Sequence, residues 1–441
     1  MKKKTWVALI LLAACLIPLQ AAFKKEDVRA HILENGLKVL LVEDHNIPNV
    51  ALYTFFRVGS RNERPGLTGV SHFIEHMMFN GTPNIGPGEF DRRMEFLGGS
   101  NNAYTDMDLT AYTDWFPARA LEAMVEMEAD RMQGLSFDPE VFESERGVVA
   151  SERRLSVENN DEAILNENVQ ATAIMAHPYH WDVIGWMSDI LGWRRDEVAA
   201  YYRTYYAPNN AVLILVGDFE PAGALELIKK HYGPIKPSPA PPPVSTAEPP
   251  QMGLKTVVIK KEAQTPSYLA VWHAPRVSDP DFPILAVLEK PLLEGESSRL
   301  YRRLVRDEQL AIMVGGGVKE SIDPYLFSVF VKPKPGADLE RIDRVIEEEL
   351  DKVKSEGITD QEREKALNIL RMSFFSSLQT IAGRADQLGQ AEIFYGDYSK
   401  LFTIMDVYMA VTSDRVKEAA RKYFVETNKT VGKLIPAGGE K

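Results

Sequence analysis

The stretch SHFIEHMMFNG, residues 71–81, sets two histidines and a carboxylate into text that otherwise reads as buried helix. The chain has only eight histidines, yet His72 and His76 stand four apart. On a helix, residues i and i+4 share a face, so both imidazoles can reach one metal ion. Glu75, three positions after His72, stays on the same side with its carboxylate free to act as a base. Two neutral imidazoles suit zinc, and a catalytic zinc takes a third protein ligand and leaves one position for water. The metal lowers the pKa of that water, and a nearby carboxylate accepts its proton as it attacks a carbonyl.

Histidines at this spacing also arise in packed helices, and alone they decide little. The glutamate tips the balance, because a charge inside HFIEHMMF is costly to bury without a partner. H-x-x-E-H is also a zinc-peptidase signature, the inverse of H-E-x-x-H. The third ligand is then the decisive requirement. ESERGVVASER, residues 143–153, carries Glu145 and Glu152 seven apart, two turns along one helix face. Glutamates on helices are usually solvated, but the intervening GVVA suggests a partly buried helix.

These residues carry a resemblance. The chain is similar to the pitrilysin/insulinase-type peptidases, a family that includes the mitochondrial processing peptidase and many bacterial members. Glu152 follows His76 by 76 residues and Glu145 precedes Glu152 by seven, matching the family's spacing. The family blocks GLKVLLVEDHNIPNVALYTFFRVGS, GGSNNAYTDMDLTAYT, HPYHWDVIGW and YYAPNNAVLILVGDFEP follow in the expected order. The resemblance implies His72, His76 and Glu152 as ligands of one Zn2+ per chain, Glu75 as the general base, and Glu145 as the catalytic-set carboxylate that supports the metal site. It implies a structural position for His177 and His180. It places Asn101, Asn102, Ala103 and Tyr104 on an edge strand beside the zinc, where an extended peptide substrate adds by main-chain hydrogen bonds.

The family's second domain offers an arginine and a tyrosine to the substrate or the oxyanion. In RRLVRDEQLAIMV, Arg306 is the candidate arginine, but the tyrosine position is Ile312. Isoleucine cannot donate to an oxyanion, a contact whose loss typically costs about 2.7–4 kcal/mol. The missing tyrosine therefore points to a second family subunit, in a heterodimer or homodimer. The alternative is a weakly active or non-catalytic peptide-binding subunit of a peptidase complex.

The elements that must position these residues follow from pattern. KPSPAPPPVSTAEPPQ, residues 236–251, is a semi-rigid Pro-rich linker. It separates a zinc-binding domain over 23–235 from a C-terminal domain over 252–441 that lacks any H-x-x-E-H. In the first, GLKVLLVED and NVALYTFFRVGS read as strands, GVSHFIEHMMF and GPGEFDRRMEFLGG as helices, and NNAYTDMDLTAYTDWF alternates as a strand. Two amphipathic helices and the strand NNAVLILVGDF complete it. KTVVIKK, SYLAVWHAP, FPILAVLEKPLL, SSRLYRRLVRDE, YLFSVFVKP and two long helices repeat the order loosely. The expectation is an α+β protein of two similar domains, each a largely antiparallel sheet packed with helices.

Composition narrows the setting. The net charge of -12 argues against non-specific binding to nucleic acid, whose phosphates need a basic face. Lys2, Lys3 and Lys4 before an apolar run make residues 1–22 a secretory signal, or residues 1–14 a lipoprotein signal with Cys15 as a possible lipid anchor. The chain is expected in the periplasm or at the envelope. Cys15 is the single cysteine, so the mature domains hold no disulfide and no thiolate chemistry.

Overall fold

A computed structural model describes residues 23–437. The signal segment and Cys15 lie outside the described residues.

The first half builds a six-stranded sheet from β1 (Val28–Ile32), β2 (Lys38–Glu43), β3 (Asn49–Phe56), β4 (Ser100–Thr105), β5 (Thr110–Pro117) and β6 (Ala211–Gly217), in the order β1-β2-β6-β3-β5-β4. The second half builds five strands, β7 (Lys255–Lys261), β8 (Ser267–Ala274), β9 (Ala311–Val318), β10 (Tyr325–Pro333) and β11 (Lys429–Pro436), in the order β7-β11-β8-β10-β9. Setting β1 aside, the two orders superimpose. In each sheet the late strand inserts parallel to the first, β6 on β2 and β11 on β7, and every other pairing is antiparallel. The loose repetition in the sequence is thus a repeated topology.

Strand character follows depth. β6, AVLILVG, is apolar throughout and buried throughout, as a central strand covered on both faces must be. β7, KTVVIKK, alternates half-buried and exposed positions and sits at an edge. NNAYTDMDLTAYTDWF, expected as one alternating strand, is the hairpin of β4 and β5. Asp106 N–H donates to the Leu109 carbonyl at 2.8 Å, and Met107 and Leu109 tuck into the core at the turn. Alternation continues across such a turn, so periodicity alone does not mark it.

The helices of the first half are α1 (Val70–Met77), α2 (Glu89–Leu97), α3 (Leu121–Gly134), α4 (Pro139–Arg153), α5 (Asp161–Ala173), α6 (Met187–Gly192), α7 (Arg195–Tyr205) and α8 (Pro221–Tyr232). Those of the second are α9 (Phe282–Leu293), α10 (Leu339–Glu356), α11 (Asp360–Ser377), α12 (Ile381–Tyr395), α13 (Ile404–Met409) and α14 (Ser413–Tyr423). SSRLYRRLVRDE, expected as a helix, winds over Tyr301–Asp307 as a π-helix.

The halves exchange one helix each. α12 packs across β3 and β6 of the first sheet, where Ala385, Leu388 and Ala391 meet Leu40, Phe55 and Ile214. α5 packs across β8 and β11 of the second, where Leu165 and Val169 meet Leu269 and Val271. Each sheet is apolar on both faces, and its own half covers only one, so the open face is buried under a helix from the other half.

Candidate metal centre

α1 begins abruptly because its entry is specified by contact. Gly69 precedes it with φ of 83° and lies so close to Ile184 that a Cβ would stand 2.2 Å from that carbonyl oxygen. Glu63 is buried beneath this entry and accepts from the Gly69 and Ser71 N–H groups, each at 2.8 Å. It does for the helix start what an N-cap side chain usually does. Burial pushes its carboxyl up to about 8, against the pull of those two hydrogen bonds.

α4 starts at Asp138, whose carboxylate accepts from Glu140 N–H at 2.9 Å and Val141 N–H at 3.2 Å, with Pro139 in the first turn. It packs against α1 and presents Glu145 and Glu152 to the two histidines. Beyond Glu152 the winding loosens into a π-helical turn at Arg154–Glu158.

His72 Nε2 and His76 Nε2 approach to 3.3 Å. Glu152 completes a triangle, its oxygens 3.4 Å from His76 Nε2 and 3.8 Å from His72 Nε2. Among the described residues, His72, His76 and Glu152 are the one group of three such side chains that converge. Ligand atoms held tetrahedrally around zinc at about 2.0–2.1 Å lie about 3.3 Å apart, so these donors fit a zinc ion. The nitrogen and oxygen donor set also suits it. The Glu152 side chain is 42% exposed, so solvent reaches the triangle on that side.

The surroundings orient the donors. His76 Nδ1 faces Glu145 Oε1 at 2.7 Å, and Asn80 Nδ2 donates to Glu145 Oε2 at 3.0 Å. A proton held on Nδ1 by that carboxylate leaves the Nε2 lone pair facing the metal position. Burial lowers the His72 imidazole to about 3, helped by nearby His76, so His72 is neutral and ready to ligate. For His76 burial also pulls downward, but the Glu145 bond and the carboxylates around it lift the ring above its ordinary value. The His76 bond in turn holds Glu145 below the usual carboxylate range.

Glu75 lies on α1 beside this triangle, 9% exposed. Burial raises its carboxyl, and Thr105 Oγ1 donates to its Oε2 at 2.5 Å. A raised carboxyl close to a ligand triangle is suited to accepting a proton there. Sequence reasoning passed over Thr105 and Asn80. Thr105 ends the NNAYT block and Asn80 lies four residues after His76, but their partners Glu75 and Glu145 stand on other elements, to which no sequence spacing connects them.

The remaining candidates scatter more widely. β4 is the edge of its sheet, with Asn101 bonded to Asp91 at 2.9 Å, the Asn102 carbonyl accepting from Thr113, Ala103 packed on the core and Tyr104 donating to Asp386 at 3.1 Å. Arg306 lies in the other half, where its Nε donates to neighbouring Asp307 at 3.0 Å. Ile312 is exposed on β9, the edge of the second sheet. Among the described residues, Arg306 makes no hydrogen bond or ion pair with the triangle. His177 bonds Asp323 at 3.1 Å, between the halves, and joins no metal cluster.

Two family profiles match the chain, Insulinase (Peptidase family M16) over residues 38–185 and Peptidase M16 inactive domain over residues 192–370. The zinc protease PqqE of Helicobacter pylori is 33% identical over 413 residues, covering 92% of each chain. A crystal structure of a protease from Helicobacter pylori superimposes with a TM-score of 0.89 at 30% identity, covering 93% of this chain and 99% of that one. The fold is also that of the periplasmic protease PqqL from Escherichia coli, with a TM-score of 0.77 at 19% identity; the match covers 94% of this chain but 48% of PqqL.

Proposed function

The chain belongs to the insulinase-type (M16) peptidase family, and from that premise we propose that it is a zinc-dependent endopeptidase acting on peptides or unfolded polypeptides outside the cytoplasm. The observation that carries the reading is the convergence of His72, His76 and Glu152 with Glu75 beside them. Zinc, when bound, supplies a Lewis acid that polarises a carbonyl and makes water nucleophilic near neutral pH. The chain's residues do the rest. His72, His76 and Glu152 would hold the ion, Glu145 and Asn80 fix the His76 ring, and Glu75 takes the proton of the attacking water and passes it to the leaving amine. The Thr105 hydroxyl aims the Glu75 carboxylate, and the free edge of β4 offers main-chain donors and acceptors to an extended substrate.

A periplasmic or envelope setting is supported by the leader-like residues 1–22. Among the described residues no helix is long and apolar enough to cross a membrane.

Glu75→Gln tests the reading. Against an unstructured peptide, cleavage should fall by about 100-fold or more, with zinc content and unfolding midpoint unchanged. Undiminished cleavage, or none by the wild type in any assembly, would sink it. Because Ile312 stands where the family offers a tyrosine, we further propose that the active assembly pairs this chain with a second family subunit. The isolated chain should then bind zinc yet cleave slowly, and a partner recovered from the envelope fraction should restore the rate.

A further inference from the structure

Behind the first sheet, where α11, α12 and α13 meet, lies a cavity of about 340 Å3. Its wall is largely apolar and aromatic, with Phe374, Phe394, Tyr395 and Tyr408 among the lining residues. Glu320, from the turn between β9 and β10, also lines it. Among the described residues Glu320 has no hydrogen bond or ion pair; the lysine beside it, Lys319, is engaged by Asp106 at 2.5 Å. Among the described residues no lysine, arginine or histidine lines the cavity.

Asp386 adds a second negative charge nearby. It accepts from Tyr104 Oη at 3.1 Å and from Gln390 Nε2 at 2.8 Å, and Gln390 itself lines the cavity. Burial first, and Asp386 second, raise the Glu320 carboxyl, as expected of a charge placed without a counter-ion. An aromatic wall around an uncompensated carboxylate attracts a cation twice, through ring faces and through direct pairing.

We propose that this cavity binds an ammonium or guanidinium group carried on an apolar stem, with Glu320 as its counter-ion and the aromatic wall around the stem. Two sources present that chemistry. One is a basic side chain of a peptide paired along β4. Successive side chains of a strand point to opposite faces: Thr105 meets Glu75 on one side and Tyr104 meets Asp386 on the other. A peptide added to this edge would therefore send alternate side chains toward the Asp386 side. The other source is a free alkylamine. The peptide source rests on the peptidase reading; cation binding itself does not.

Calorimetric titration of the full chain with n-hexylammonium, and with neutral 1-hexanol, tests the proposal without any activity assay. Hexylammonium should bind saturably, and Glu320→Gln should weaken it at least about tenfold, the worth of one charge-assisted hydrogen bond. Hexanol should bind weakly and be indifferent to that change. Ser373→Trp, which fills the cavity from an exposed position and keeps the charge, should also weaken hexylammonium. Thermal unfolding of both variants verifies that they are folded. Equal hexylammonium binding by wild type and Glu320→Gln, or no saturable binding by wild type, overturns the site. Peptides with lysine scanned through the sequence then separate the sources. A KM preference at one position, lost in Glu320→Gln with kcat kept and competed by hexylammonium, identifies the peptide side chain. A flat scan alongside saturable hexylammonium binding identifies the free amine.

Discussion

His76 shows how much of the candidate metal centre is set by side chains outside the converging triangle. Its Nδ1 bond to Glu145, itself braced by Asn80, decides which nitrogen faces Glu152. Glu145→Gln leaves the shape intact but weakens the acceptor, and Asn80→Ala frees the carboxylate to turn away. Each should weaken zinc affinity by about 10–100-fold, read by competition with a chromogenic chelator. Unchanged affinity would mean that packing alone orients the ring. Residues bound to the helical period were legible in sequence: His72 to His76 is one turn, and Glu145 to Glu152 is two. Thr105 and Asn80 act across elements, where no period connects them to their partners. Arg306 and Ile312 were placed by resemblance, and the second half carries both.

α1 positions three of the site residues on only eight residues of helix, so its entry angle matters more than its propensity. That angle is held by Gly69 in the left-handed region, jammed against Ile184, and by Glu63 under the first N–H groups. Gly69→Ala adds a Cβ where neither the conformation nor the space accepts one. We expect a loss of about 1–3 kcal/mol in urea unfolding, within the range for forced backbone strain, together with weaker zinc binding. Full stability with unchanged zinc affinity would show that the entry relaxes at no cost. The same local logic explains what periodicity hid elsewhere. β4 and β5 read as one alternating run because Met107 and Leu109 keep the apolar beat through the turn. β6 was recognisable because a strand buried on both faces must be apolar throughout.

The exchange of α5 and α12 was not legible, because an apolar helix face does not state which sheet it covers. Its consequence is that the halves are tied by buried surface and by charges, among them Glu392 of α12 gripping Lys38 at 2.6 Å and Arg57 at 2.8 Å. A second tie is acid-sensitive in a defined way. Asp323 of the second half pairs with Arg61 Nε at 2.6 Å and with His177 Nε2 at 3.1 Å. Tyr179 N–H donates to His177 Nδ1 at 3.1 Å, so a neutral His177 carries its proton on Nε2 and donates to Asp323. Burial alone would raise the Asp323 carboxyl, but the bonds from His177 and Arg61 bring it down to about 2, below its ordinary 3.8. The unfolded chain thus binds that proton first on acidification, and the tie is complete above about pH 4 and lost as pH falls toward 2. Asp108, against Tyr179 and Arg61, runs the other way: burial holds its carboxyl up to about 6, so the folded chain keeps its proton longer. Its contribution shrinks as pH rises from about 4 to 6. Urea unfolding across pH 2.5–7 should therefore separate the two, since the difference between wild type and Asp323→Asn should vanish toward pH 2. The difference for Asp108→Asn should instead move in the opposite direction between pH 4 and 6. Parallel curves for wild type and both variants would mean that this cluster does not couple protonation to the joining of the halves.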